Sequence, residues 1–200
     1  MLIAFEGIDG AGKTTQARKL AENLTTQRFD VISLREPTSG IWGQKIRMMT
    51  SETRKAITPE EELDLFIKDR QEDVEQNIKP ALAQKKIVII DRYYFSSIAY
   101  QGALGIDPLE IQACNELFAP LPETVFLLDI APEAGLMRVT QKRGDRTSSF
   151  EEEPYLKEVR KIFRSLKGPY IHLIDASLPF DTIQADLLDR ALKVIKPYLC

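Results

Sequence analysis

FEGIDGAGKTTQ, residues 5–16, follows on an apolar run, LIAFE (2–6), and leads into a segment of helical periodicity, 13–27. The spacing Gly7-x-x-x-x-Gly12-Lys13-Thr14 is that of a phosphate-binding loop, and a strand before and a helix after are the context this motif requires. Its glycines let backbone N–H groups converge on phosphate oxygens, helped by the positive end of the helix. Gly7, Ile8, Asp9, Gly10, Ala11, Gly12, Lys13, Thr14 and Thr15 are therefore expected to wrap a nucleoside triphosphate, with Lys13 reaching its β/γ-phosphates and the Thr14 hydroxyl ligating Mg²⁺. The competing reading, chance glycines at a strand–turn–helix junction, is outweighed by Lys13-Thr14 in the right place. One residue does not suit an anion site: the carboxylate of Asp9.

Outward from the loop, four more apolar runs recur: DVISL (30–34), IVIID (87–91), TVFLLD (124–129) and YIHLID (170–175). They are nearly continuous rather than alternating, as in strands buried on both faces of a parallel sheet. Helix-period segments lie between them, at 42–54, 60–84, 108–118, 132–142, 151–166 and 181–195. This alternation predicts an α/β fold with a mostly parallel sheet. Thr58-Pro59-Glu60 starts a helix and Lys167-Gly168-Pro169 closes one. RGDRTSSFEEE (143–153) is polar without apolar periodicity and is expected to be a mobile surface loop running into a helix. No domain boundary stands out, so residues 1–200 are expected to form one domain.

The whole chain sets limits. Its 200 residues are 44% hydrophobic and 28% charged, ordinary for a globular protein. A net charge of -3 argues against a nucleic-acid polymer as partner. Two cysteines, Cys114 and Cys200, make no disulfide framework and fit a reducing compartment. MLIAFEG is a poor signal peptide, and no apolar run approaches the roughly 20 residues needed to span a bilayer. A cytoplasmic protein without membrane attachment is expected. None of Asn23, Asn77 and Asn115 precedes a lysine, so the Asn-Lys-x-Asp stretch that reads guanine in GTP switches is missing.

A second anion site emerges from arginines. IVIID ends on Asp91-Arg92, and DVISL runs into Arg35-Glu36-Pro37. Strand ends of this kind lie where open α/β sheets bind ligands. Asp91 there suits Mg²⁺ held through water, while Arg35 and Arg92 suit bidentate phosphate binding. Phe66 and Arg70, four apart on one helix, share a face and pair a ring with a guanidinium. Arg143 and Arg146 lie on the polar segment, placed to close over a transferring phosphoryl group. For each the ordinary alternative is an ion pair, a core ring or a charged surface loop.

Together FEGIDGAGKTTQ, REP (35–37), LFIKDRQEDVEQNIKPAL (65–82), DRYYFSSIAYQG (91–102) and DRTSSFEEEPYLKEVRKIF (145–163) resemble the thymidylate kinase family in order and spacing. DRYxxSSxAYQG is far more specific than the phosphate loop. The resemblance implies a P-loop kinase fold: a five-stranded parallel sheet flanked by helices, with a flexible lid at about 143–153. It implies ATP as phosphoryl donor, Mg²⁺, dTMP as acceptor and a homodimer formed through sheet-covering helices. Asp9 would turn its side chain to the acceptor sugar and accept from the 3′-hydroxyl. Arg35 and Arg92 would bind the acceptor phosphate, Phe66 would stack on thymine, and Arg70 would donate to a base carbonyl. Ser97 would lie near the base edge, Tyr100 would pack under the sugar and exclude a 2′-hydroxyl, and Gln101 would line the same pocket. Some relatives carry an arginine in the loop where this chain has Gly10; here Lys13 and Arg92 would be joined in catalysis by the lid's Arg143 and Arg146. Asp175-Ala176-Ser177 is similar to the stretch that borders adenine.

Two departures stand out. REP usually continues into a Gly-Gly-Thr-like turn, and this chain has Thr38-Ser39-Gly40; Lys68 and Asp69 replace small residues, with Asp69 expected either to compete for Arg70 or to face solvent. A kinase for another pyrimidine nucleotide or nucleoside stays open on that ground. A P-loop ATP-binding module that regulates a partner is the other alternative. The one histidine, His172, lies in a predicted strand and is expected to be structural.

Overall fold

In the computed structural model residues 1–49, 57–143 and 149–196 are described, with all their side chains except those of 142, 143 and 149–152. Five strands, β1 (Leu2–Glu6), β2 (Val31–Arg35), β3 (Ile87–Asp91), β4 (Thr124–Asp129) and β5 (Ile171–Asp175), pair in the order β2-β3-β1-β4-β5. Every pairing is parallel. β1 and β3 are buried throughout, and β4 is buried up to its last residue, as their unbroken apolar runs require. β2 and β5 are not buried on both faces as expected. Each is an edge strand with exposed positions, and Ser33 and His172 break the apolar run in them.

Register brings the chemistry to one rim. Asp91 is level with Phe5 on one side and with Arg35 on the other. The phosphate loop leaves β1 one residue beyond Phe5, so loop, Arg35 and Asp91 share the carboxyl ends of adjacent strands. That is where open parallel sheets bind ligands.

Helices flank the sheet. α1 (Lys13–Thr26) buries Ala17, Leu20, Ala21 and Leu24, and packs along α9 (Phe180–Ile195). Gln184 of α9 donates its amide to the backbone oxygen of Gln16, tying the two. α3 (Pro59–Asp73) begins on a full capping box, Thr58 with Glu61, and Pro59 takes the first turn. It runs through a π-helical turn (Val74–Ile78) into α4 (Lys79–Ala83), so the expected helix 60–84 is one run with a widened turn inside it.

α5 (Tyr94–Gly102) lies outside the segments read as helical from periodicity. It is buried almost all round, between α3, α6 (Pro108–Glu116) and α8 (Ser149–Ser165), so apolar and polar residues alternate without a solvent face. α7 (Pro132–Arg143) ends where the polar segment begins, and α8 is helical from Ser149, two residues before the expected helix 151–166, so the expected loop is shorter at that end. α2 (Ile41–Met48) covers the first part of the expected helix 42–54; most of the rest lies outside the described residues, as do Arg146 and Cys200.

The two departures flagged in the sequence meet each other. Asp69 is 1% exposed, so it neither faces solvent nor binds Arg70. Its carboxylate accepts from the Thr38 backbone N–H at 2.8 Å and from the Thr38 hydroxyl at 2.6 Å. The Thr38 hydroxyl in turn accepts from Gly40 N–H at 3.0 Å, which closes the turn that glycines would otherwise make. Gly43 of α2 lies so close that a Cβ there would sit 2.0 Å from the Thr38 carbonyl oxygen. Asp69→Ala leaves a buried N–H and hydroxyl without their acceptor and is expected to cost about 1–3 kcal/mol. Urea denaturation checks this, and an unchanged midpoint would show that the turn holds without Asp69.

Candidate active site

The loop after β1 is shaped by contacts that admit no side chain at two of its glycines. Gly7 has φ +134°, and a Cβ there would meet the Leu128 carbonyl oxygen at 2.3 Å. Gly10 has φ +81°, and a Cβ would meet the Gly135 carbonyl oxygen, at the start of α7, at 2.1 Å. The loop is closed from within by Lys13, whose Nζ donates to the carbonyl oxygens of Gly7 and Ile8 at 2.9 Å each. No acidic residue occupies the first turn of α1 to compete for an anion there. The Thr14 hydroxyl donates to Asp91 Oδ2, and Asp91 Oδ1 is buried without a hydrogen-bond partner.

Two cavities open at this rim. The larger, about 540 Å³, runs along residues 9–16 of the loop and helix and is closed by Arg138, Ala176 and Phe180. Arg138 donates to the Ala176 carbonyl oxygen at 3.0 Å and, more weakly, to that of Gly10 at 3.4 Å, linking β5's exit to the loop. The smaller, about 250 Å³, is bordered by Pro37, Phe66, Ser97, Tyr100, Gln101 and Glu62. Asp9 and Arg92 border both cavities.

Arg92 sits on that shared wall with φ +73°, a conformation rare for a non-glycine residue. Its guanidinium donates to Asp9 at 2.6 Å and to the Ser96 hydroxyl at 3.1 Å, and lies 5.1 Å from the Tyr100 ring centroid. The Asp9 carboxylate is thus answered by the guanidinium of Arg92, which follows the neighbouring strand β3. Glu6, fully buried at the end of β1, accepts from Tyr93 N–H at 2.8 Å, Ser96 N–H at 3.2 Å and the Ser96 hydroxyl at 2.6 Å. It holds the start of α5 in place. Burial pushes the Glu6 carboxyl up, although Ser96 and Arg92 pull the other way. Burial, and then Arg92, push the Lys13 ammonium down to about 7, against the pull of Asp9 and Asp91.

The structure gathers most of the residues singled out in the sequence, with two displacements. Lys13, Thr14, Asp91, Arg92, Phe66, Ser97, Tyr100 and Gln101 line one cavity or the other. Arg35 borders the larger cavity rather than the smaller; its side chain, 64% exposed, leaves an edge strand and comes only to 3.8 Å from Asp91. Arg70 borders neither. It is 1% exposed, and the buried Glu36 carboxylate draws it in with bonds of 2.6 and 2.9 Å. It also donates to Asn115 at 2.6 Å and to the Ser97 hydroxyl at 3.2 Å, so it reaches the cavity only through Ser97. The Arg143 side chain and all of Arg146 lie outside the described residues.

Sequence reasoning missed Glu6, Glu62 and Arg138. Glu6 carries a legible signal: a charge at the end of an otherwise apolar central strand needs partners if buried. Arg138 and Glu62 give none, being charged residues on helices otherwise rich in charge.

Residues 5–187 match the family model described as thymidylate kinase. The thymidylate kinase of Desulfotalea psychrophila is 47% identical over 195 residues, covering 98% of this chain and 96% of that one. A probable thymidylate kinase of Archaeoglobus fulgidus is also 47% identical, over 100% of this chain and 96% of its own length. The crystal structure of thymidylate kinase from Ehrlichia chaffeensis superposes with a TM-score of 0.75 at 32% identity, covering 96% and 97% of the two chains.

The lowered Lys13 sets a pH dependence. In the free protein Lys13 loses its proton near pH 7, and bound phosphates favour the charged form, so above that pH binding must take up a proton. ADP affinity is expected to fall by up to about tenfold per pH unit above pH 7.5, where the nucleotide is fully ionised. Titrations with a fluorescent ADP analogue from pH 7.5 to 9 test this. A flat profile would mean Lys13 is fully charged in the free protein.

Proposed function

The chain belongs to the thymidylate kinase family, and on that premise we propose that it transfers the γ-phosphoryl group of ATP to dTMP, giving dTDP and ADP. The observation that carries this reading is the wall shared by the two cavities. Donor and acceptor need to face each other across one point, and Arg92 with Asp9 stands there.

An oxygen of the acceptor phosphate attacks the γ-phosphorus, the bond to the β,γ-bridging oxygen breaks, and that electron pair stays on ADP. A phosphate monoester has a second pKa of about 6, so the acceptor is largely dianionic at pH 7 and no general base is required. The work is positioning and charge neutralisation. The loop N–H groups and Lys13 hold the β- and γ-phosphates. Arg92 bridges the transferring group and the acceptor phosphate, with Arg35 beside it. Phe66 stacks on the base, Ser97 and Gln101 meet its edge, and Arg70 acts on it through Ser97. Tyr100 packs under the deoxyribose where a 2′-hydroxyl would clash, and Asp9 accepts from the 3′-hydroxyl while paired with Arg92. Arg143 and Arg146, whose side chains lie outside the described residues, are assigned to the transferring phosphoryl group by the resemblance alone, and by analogy with arginine fingers their loss would cost on the order of 10³-fold in rate.

Thr14 and Asp91 would hold Mg²⁺. The fit is supported by hard oxygen donors at the right place, one of them the buried and unpartnered Asp91 Oδ1. No group of three or more His, Cys, Asp or Glu suited to a metal occurs among the described residues, which agrees with an ion that keeps waters and nucleotide oxygens as its other ligands. When bound, the ion neutralises charge on the β- and γ-oxygens.

One domain, a homodimer through sheet-covering helices and a cytoplasmic setting complete the reading. The setting is supported by a free, exposed Cys114.

Coupled ADP release from MgATP with dTMP, dUMP, UMP, dCMP, CMP and thymidine as separate acceptors is expected to show strong preference for dTMP. Release without any acceptor dependence would overturn the kinase reading. Arg92→Ala is expected to lose on the order of 10³-fold in kcat with its circular dichroism unchanged. Near-normal turnover in that variant would remove Arg92 from the site.

A further inference from the structure

We propose that Glu62 sets the base preference of the acceptor site, by holding the Gln101 amide so that its carbonyl oxygen, and not its NH₂, is left for the ring of the acceptor. The inference rests on the reading of the smaller cavity as the acceptor site. Glu62, in the first turn of α3, is 3% exposed, and Gln101, in the last turn of α5, is 1% exposed; both border that cavity. Gln101 Nε2 donates to Glu62 Oε1 at 3.1 Å. Gln101 Oε1 is shielded from solvent and has no hydrogen-bond partner.

The two ends of a glutamine amide have nearly the same shape, so the neighbouring groups decide which way it points. A carboxylate offers only acceptors. Facing Glu62, the amide must present its NH₂; flipped, it would set two oxygens against each other and lose the bond. Oε1 is then the polar atom of Gln101 left to meet a ligand.

An acceptor in that position reads the tautomeric edge of a pyrimidine. Thymine and uracil carry a ring N–H at N3, while cytosine carries a lone pair there. The first satisfies Oε1 and the second opposes it, and a buried group left unpaired by the wrong ligand gives strong discrimination. Ser97 lies one turn earlier on the same face of α5. Its hydroxyl oxygen accepts from both terminal nitrogens of Arg70 at 3.2 Å each, which leaves its O–H to donate. A donor beside an acceptor complements a ring carbonyl next to a ring N–H. Arg70 and Glu62 thus act from behind as positioning residues, one fixing the donor and the other the acceptor.

The test measures kcat/KM for dTMP and for dCMP in the full-length protein. Glu62→Gln keeps the shape but lets position 62 donate as well as accept, so the Gln101 amide is free to flip. The dTMP:dCMP ratio is expected to fall at least tenfold, chiefly through a higher KM for dTMP. The double variant Glu62→Gln/Gln101→Glu restores one fixed donor and a cavity-facing acceptor, and is expected to recover most of the ratio. A role in stability alone predicts no such recovery. If the wild type prefers dTMP and Glu62→Gln keeps that ratio within threefold, the inference fails and the assigned reaction stands. If the wild type shows no preference for dTMP, the assigned reaction fails and takes the inference with it. Should Glu62→Gln not fold, the double variant decides: a dCMP preference in it overturns the proposal.

Discussion

The contact on which the site depends is the buried Lys13 ammonium against the carbonyl oxygens of Gly7 and Ile8. A lysine with 5% exposure is tolerated only if its donors are satisfied and its charge is answered. The loop satisfies the donors, which fixes its curvature around Nζ. Asp9, Asp91 and Glu6 answer the charge. Three carboxylates and two cations are thus collected at the ends of β1 and β3, where separately each would be costly. An arriving polyphosphate would exchange carbonyl oxygens for phosphate oxygens at a lysine that is already in place, and would favour its charged form.

β1 builds both halves of the site. Its exit gives the loop, and its last side chain, Glu6, binds the Tyr93 and Ser96 N–H groups and so anchors α5. That helix carries Ser97, Tyr100 and Gln101 to the smaller cavity, while Arg92, at the turn before it, faces both. The distance between the two sites is therefore set by one strand end and one turn, with no long lever between them. The unusual φ of Arg92 fits this: the chain turns sharply to leave β3 and still aim the guanidinium back over the loop.

The sheet was legible in the sequence because the interior strands are buried on both faces and leave no polar interruption. The edge strands differ in composition only by one interior polar residue each, Ser33 and His172, and it is sheet order, which depends on contacts distant in sequence, that separates β2 and β5 from the rest. α5 went unread as a helix: none of its residues is exposed, so its polar residues, Ser96, Ser97 and Gln101, do not mark a solvent side. The strand–loop–helix that carries the phosphate-loop motif was legible because its glycines, Gly7, Gly10 and Gly12, stand where the backbone takes positive φ, while the distant carbonyls of Leu128 and Gly135 that crowd two of them were not. Arg70 was misplaced for a different reason. Its partner Glu36 lies 34 residues away in the chain, and nothing local distinguishes an arginine that points at a ligand from one drawn behind the wall by a buried carboxylate. The Thr38–Asp69 pair shows the same limit: two apparent departures, separated by 31 residues, form one compensated turn.

The contact between Gly10 and Gly135 bears on how such a site changes over evolutionary time. A Cβ on Gly10 would enter the Gly135 backbone, and a Cβ on Gly135 would come within 2.6 Å of the Asp9 carbonyl oxygen. Neither position is free to drift while the other stays, and the obstacle at each is main chain, which no rotamer can relieve. A cationic side chain at position 10 is therefore closed to a single substitution in this chain unless the main chain at the start of α7 moves with it. The two glycines thus restrict the charge this loop can carry as well as its shape.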